Sequence, residues 1–174
     1  MKKIVCLLLV LLLLIAGPFA LPVAGYAAEG IPQVTEIPQV VLGPPAIIAV
    51  YRTSNLCFVY DANNQLITSF PVSTGRAGYE TPLGLYRIYQ HTTGSGYHPM
   101  VDGTYGRYCM RFLQGGYMFH SVCYAYPGAP EPIPEEVASI GASVSRGCVR
   151  LNVQDAAWLY NATPNGCLVA ILDY

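Results

Sequence analysis

From Ile47 onward, short runs of β-branched and aromatic residues alternate with clusters of Gly, Pro, Ser, Asn and Asp, a pattern that leaves little room for long helices. Residues 47–52, 56–61 and 65–72 read as an antiparallel meander, with Asp61-Ala62-Asn63-Asn64 as the turn between the last two. Further strands are expected at 84–91, 108–113, 117–120 and 167–172. Helix signals occur in two places. Residues 134–140 open with Pro134, Glu135 and Glu136, a good first turn, and residues 152–161 offer Asn152 as N-cap with Asp155 three positions on. Trp158, in the second helix, is read as core. The expected architecture is mainly β, a β-sandwich-like domain with one or two short helices.

The N-terminal quarter has a different character. Lys2 and Lys3 precede an apolar run from Ile4 to Ala16, then a Gly/Pro break and small residues up to Ala28. That run is shorter than the roughly 20 residues a membrane-spanning helix needs. Residues 1–27 therefore read as a secretory signal peptide, cleaved after Ala27 or, second, after Ala28. A retained anchor is the competing reading, weakened by Gly17, Pro18 and Pro22, and no Leu-x-x-Cys box invites lipid attachment. Residues 28–45 repeat Ile-Pro-Gln-Val at Ile31 and Ile37 and close with Gly43-Pro44-Pro45, a composition suited to an extended Pro-rich linker. The domain is expected at 46–174, with no stable membrane span after cleavage.

The whole chain of 174 residues carries a formal charge of −1. That near-neutral balance gives no field to gather phosphate backbones and argues against nucleic acid as the main partner; without its two lysines the exported part is mildly acidic, with seven Arg against ten Asp plus Glu. Five cysteines remain, Cys57, Cys109, Cys123, Cys148 and Cys167. An odd number in an exported chain raises the prospect of a reactive thiol, although buried free cysteines are also common. Pairing among Cys57, Cys109, Cys123 and Cys167 is not decided by sequence.

Chemistry concentrates in Phe119-His120-Ser121 and in Ser145-Arg146-Gly147-Cys148-Val149-Arg150-Leu151. A thiol becomes a catalyst when a neutral imidazole takes its proton and backbone amides stabilise the oxyanion. Gly147 would let the backbone approach a substrate, with the amides around Gly147 and Cys148 converging as an oxyanion hole. A Gly-Cys pair with a distant His is by itself weak evidence, since such a pair is more often a core thiol and a structural imidazole than a catalytic couple.

Three blocks in order carry more weight: Val72-Ser73-Thr74-Gly75 with Thr81-Pro82-Leu83-Gly84-Leu85-Tyr86-Arg87-Ile88, the His-Ser and Ser-x-Gly-Cys-x-Arg motifs above, and the closing Asn165-Gly166-Cys167-Leu168-Val169-Ala170-Ile171. Together they resemble the L,D-transpeptidase catalytic domain, the YkuD-like family of bacterial cell-wall enzymes, over about residues 46–173. The resemblance implies Cys148 as nucleophile and His120 as base, with the carbonyl of Ser121 taking the other imidazole N–H. It further implies attack on a peptidoglycan tetrapeptide stem, a thioester after release of D-Ala, and a 3→3 crosslink to an acceptor stem, with no cofactor and no metal. Capture by water would instead give an L,D-carboxypeptidase. A non-catalytic wall-binding module and a small disulfide-held scaffold are the alternatives from other classes.

Two departures from the family pattern stand out. Arg146 occupies a position where many members carry His; its guanidinium would lower the Cys148 pKa or bind a carboxylate, or else point to solvent. Ser145, Arg146, Gly147 and Arg150 are the expected substrate-contacting residues, with Arg150 equally placed for an ordinary salt bridge. The second departure is length: 24 residues separate His120 from Ser145, the excess lying in the Pro-rich, aromatic segment 124–134, a wall or lid for the site or else surface decoration. His91, His98, Cys109 and Cys123 match no zinc spacing.

Overall fold

The computed structural model describes residues 43–92 and 96–173. The expected signal peptide, and all of the expected linker before Gly43, lie outside the described residues. Pairing begins at Ala46, whose N–H donates to the Tyr60 carbonyl and whose carbonyl accepts from Leu168 N–H, both at 2.9 Å. Strands β1 (Ile47–Tyr51), β2 (Leu56–Tyr60) and β3 (Leu66–Pro71) form the meander. Its second turn is built by Asp61, whose carboxylate accepts the N–H groups of Asn63 at 2.8 Å and Gln65 at 2.9 Å and so lets a fully buried Asp replace missing backbone partners.

The five-stranded sheet to which these strands belong has the order β3-β2-β1-β13-β5. The last strand of the chain, β13 (Leu168–Leu172), lies parallel to β1, pairing Ile47 with Leu168, and β5 (Gly84–Arg87) closes the edge antiparallel to it. A second sheet has the order β12-β10-β9-β6, formed by β12 (Val149–Leu151), β10 (Tyr117–Ser121), β9 (Met110–Leu113) and β6 (Gln90–His91). Ile48, Val50, Val59, Phe70, Val169 and Ile171 from the first sheet share one buried cluster with Met110, Phe112, Phe119, Val149 and Leu151 from the second. The expected 84–91 strand is thus two strands in two sheets. The chain crosses between them at Ile88, which is buried in the core and donates to the Cys167 carbonyl, while the next residue, Tyr89, donates to Arg111 of the other sheet.

Two small pairs complete the β structure: β4 (Thr74–Gly75) parallel to β11 (Ser143–Ser145), and the hairpin β7 (His98–Pro99) with β8 (Tyr105–Gly106). Sequence reading missed all four as strands, along with β12, because two- or three-residue strands are too short to show an alternation. Helix α1 covers Pro134–Ala138, shorter than expected, and has no side-chain cap. Helix α2 covers Val153–Ala162, where Asn152 caps the first turn by accepting Asp155 N–H at 2.8 Å and Ala156 and Leu159 turn into the core. Trp158 is not core: it is 39% exposed and rests on Phe70 at the rim.

Alternation along β10 and β12 divides these strands between core and site. Phe119, Val149 and Leu151 point inward, which turns Met118, His120 and Arg150 to the opposite face. Helix α2 presses Leu159 behind that arrangement. Replacing Asn152 with Ala is expected to cost about 1 kcal/mol, and Leu159→Ala about 2–5 kcal/mol, read as shifts of the urea midpoint; an unchanged midpoint in either variant would contradict this account of α2.

Candidate active site

Strands β10 and β12 are parallel neighbours that pair Phe119 with Val149, His120 with Arg150 and Ser121 with Leu151. Two stretches far apart in sequence thereby bring His120 and Cys148 to one cavity of about 260 Å³, which both residues line. Arg146 and Arg150 line it too. Ser145 and Gly147 do not, and their polar groups face each other. The Gly147 N–H donates to Ser145 Oγ at 3.0 Å, and that hydroxyl donates to the Cys148 carbonyl at 2.6 Å. This corrects the expectation that the Gly147 amide serves an oxyanion: it is occupied in building the turn. Gly147 is required there for two reasons. Its φ is 107°, and a Cβ would come within 2.6 Å of Tyr117 Cε1.

His120 is 2% exposed, and its Nδ1 is 2.6 Å from the carbonyl oxygen of Ser121. A carbonyl only accepts, so Nδ1 carries the proton and Nε2 is left with its lone pair. Ser121 is itself pinned, since its N–H donates to the Arg107 carbonyl and its Oγ accepts from Arg107 N–H while donating to Val122. Burial, helped by the Arg150 guanidinium, pushes the imidazole down to about 4, against the Ser121 hydrogen bond and Asp102, which favour the charged ring. Gly106 lies against the ring, and a Cβ there would meet His120 Nδ1 at 2.9 Å.

Cys148 is half-buried, and its Sγ donates to the Gly116 carbonyl at 3.4 Å. Burial raises its pKa, although the Met118 amide and the guanidiniums of Arg150 and Arg111 act in the other direction. Both shifts favour the uncharged forms, a thiol and a neutral imidazole lining one cavity. The other four cysteines are free and buried, with Cys109 and Cys123 each pushed up to about 12 by desolvation. No disulfide joins the described cysteines.

The remaining charges come from segments whose roles the sequence left open. Arg150 pairs with Glu136 of α1 at 2.9 Å, and the other oxygen of Glu136 accepts Cys123 N–H at 2.6 Å, so the long segment after His120 is tied to the site through one carboxylate. Arg146 faces Asp102 at 3.8 Å. Asp102 lies at the tip of the β7–β8 hairpin, and residues 98–102 form one wall of the cavity. Arg111 is a functional-site neighbour that sequence reasoning did not single out, and His98, weighed there only as a metal ligand, is another. Their signal was weak: Arg111 follows Met110 and precedes Phe112, both core, so alternation alone would have turned it toward the site. Of the other metal-ligand candidates, His91 bonds Asn165 at 2.8 Å, meets the Tyr160 ring edge to face and does not line this cavity, and the described residues hold no cluster of three His, Cys, Asp or Glu arranged to bind a metal.

The family model of the L,D-transpeptidase catalytic domain, YkuD, matches residues 45–171. The chain belongs to that family. YkuD of Bacillus subtilis is 29% identical over 109 residues, covering 63% of this chain and 56% of that protein. An L,D-transpeptidase from Mycobacterium smegmatis superposes with a TM-score of 0.61 at 21% identity, over 75% of this chain and 59% of that one. L,D-transpeptidase 3 from Mycobacterium tuberculosis, solved with a faropenem-derived adduct, gives 0.58 at 22%, over 74% and 60%. The chain thus spans a little over half the length of these relatives, and the structural likeness establishes a shared mainly β fold. Among the described residues no helix is long and apolar enough to cross a membrane.

Two consequences of the neutral pair are measurable. Iodoacetamide labelling of Cys148, followed by peptide mass, should be slow at pH 7 and still rising above pH 9, the ordinary thiol value; a rate already on its plateau at pH 6 would indicate a thiolate–imidazolium pair instead. An unfolded chain binds the imidazole proton near 6.5 whereas the folded ring resists until about 4. Stability should therefore fall as pH drops through that window, and His120→Gln should remove that part of the slope. An identical slope in wild type and variant would contradict the shift.

Proposed function

We propose that the protein is an exported cysteine L,D-transpeptidase, with residues 1–27 as signal peptide, 28–45 as linker and 46–174 as catalytic domain, acting on peptidoglycan tetrapeptide stems. The observation that carries this reading is a thiol and an imidazole in one cavity, the imidazole held by a carbonyl in the tautomer of a general base. Membership of the family supports the substrate class.

As the donor stem binds, the Cys148 proton passes to His120 Nε2 and the sulfur attacks the carbonyl between the third residue and the terminal D-Ala. We assign the Cys148 amide to the developing oxyanion, because Ser145 already holds the Gly147 amide. The C–N bond breaks as the imidazolium returns the proton to the departing D-Ala amine, leaving a thioester. An acceptor-stem amine then attacks the thioester, its proton moves to Nε2, and sulfur leaves with that proton as thiol. The product is a 3→3 crosslink. No carboxylate is needed to orient the base, since Ser121 supplies the orientation. Ser145 and Gly147 shape the turn that presents Cys148, while Arg146 and Arg150 border the stem.

The purified protein with disaccharide-tetrapeptides should release D-Ala and form dimers of higher mass. Release without dimers would mean hydrolysis, and no release would overturn the enzymatic reading. Cys148→Ala should abolish release, and His120→Ala should lower kcat/KM by roughly 10²–10⁴-fold. A penem of the kind that modifies the Mycobacterium tuberculosis relative should add its mass to Cys148 and to no other cysteine.

A further inference from the structure

Three arginines line the cavity beside Cys148, and their partners differ in kind. Arg150 faces the Glu136 carboxylate and Arg146 faces Asp102. Arg111 has no carboxylate within 4.0 Å among the described residues; its Nη2 donates to His98 Nε2 at 3.2 Å. A guanidinium has no lone pair to offer, so His98 Nε2 is the acceptor and the ring is neutral. Burial and the Arg111 charge both hold His98 in that form. Arg111 is thus oriented by a group that leaves its positive charge uncompensated, inside a recess that also holds the thiol. An arginine fork in that state is built for a carboxylate.

Register places this fork relative to the sulfur. Arg111 of β9 pairs with Met118 of β10, and the parallel pairing of β10 with β12 begins one residue further on, at Phe119 with Val149, so extending that register by one residue sets Cys148 opposite Met118. At about 4.8 Å per strand spacing, the Cα atoms of Arg111 and Cys148 are about 10 Å apart on one face. A long side chain on one and a short one on the other then bring guanidinium and sulfur toward the same bound group. In a peptide cleaved at its last bond, the terminal carboxylate carbon lies three bonds from the attacked carbonyl carbon, closer than any other acidic group of the donor.

We infer that Arg111, held by His98, is the specificity-determining residue that binds the terminal carboxylate of the residue leaving the donor, so that the site accepts only donors ending one residue beyond the attacked carbonyl. This rests on the proposed acyl transfer at Cys148 and adds to it the reason for choosing a chain end. His98 is the positioning residue, delivered by the β7–β8 hairpin.

The test uses two alkylating probes with nearly equal intrinsic reactivity, N-iodoacetyl-D-alanine and its C-terminal amide, each forming an S–C bond at Cys148 with loss of iodide. In wild type the carboxylate probe should label Cys148 at least about tenfold faster than the amide. Arg111→Gln should bring the ratio to that of a free thiol, and Arg111→Lys, which keeps the charge but not the fork, should retain part of it. Taking the ratio cancels any general change in thiol reactivity caused by removing a nearby cation. A wild-type ratio near that of a free thiol, or a ratio unchanged in Arg111→Gln, would overturn the inference. Tetrapeptide donors with a terminal carboxylate or amide form the second arm: wild type should prefer the carboxylate by the same order, and Arg111→Gln should bring the carboxylate-to-amide ratio of kcat/KM close to one, whatever its effect on the two rates in common. If neither donor turns over, the proposed reaction fails, while the labelling ratio still decides the carboxylate site.

Discussion

A hydrogen bond of 2.6 Å between His120 Nδ1 and the neighbouring Ser121 carbonyl is the interaction on which the site depends. It fixes the tautomer and ring plane at once, and although it favours the charged ring, burial and the Arg150 guanidinium outweigh it. Burial then keeps the imidazole neutral, pushed down to about 4. In the proposed reaction, a base with so low a resting affinity for protons would move one only as negative charge develops on the bound carbonyl. The half-buried thiol, raised by desolvation, follows the same logic. A thiol raised in this way is less open to stray oxidation and alkylation than a thiolate would be.

The surrounding structure serves that pair. Parallel pairing of β10 with β12 sets the registry of imidazole and sulfur, and Phe119, Val149 and Leu151 lock the registry by filling the core behind it. A slip of one residue would turn the site face inward, so the apolar residues of these strands act on the chemistry through the pleat. The Ser145 hydroxyl, bonded on both sides of the Gly147 turn, holds the loop that carries Cys148. Just beyond the Pro-rich segment 124–134, the Glu136 carboxylate of α1 pairs with Arg150 and accepts Cys123 N–H. The Pro-rich segment 124–134 itself contributes no residue to the lining of the cavity that holds Cys148, so it is not a wall of that cavity.

Much of this was legible in the sequence, for identifiable reasons. The meander strands announced themselves by β-branched runs and by turn residues such as Asp61 and Asn64, and α2 by the Asn152 cap. His120 and Cys148 were legible because their motifs carry distinctive residue types in order. What escaped notice depends on contacts between distant segments. The crossing at Ile88 is invisible in a run that looks continuous, and the pairs β4–β11 and β7–β8 are held by partners rather than by local preference. The Gly147 amide was misread because its occupation by Ser145 Oγ is a matter of turn geometry. Arg111, His98 and Asp102 converge only through the hairpin fold, and no spacing in the chain encodes that meeting.

Nitrogen NMR of the protein labelled with ¹⁵N-histidine tests the central claim most directly, because it reads the protonation of each ring nitrogen of His120 through pH. The account predicts a protonated Nδ1 and a bare Nε2 at neutral pH, with the ring gaining its second proton only far below the 6.5 of an exposed imidazole. A ring that is charged at pH 7, or that carries its single proton on Nε2, would contradict it.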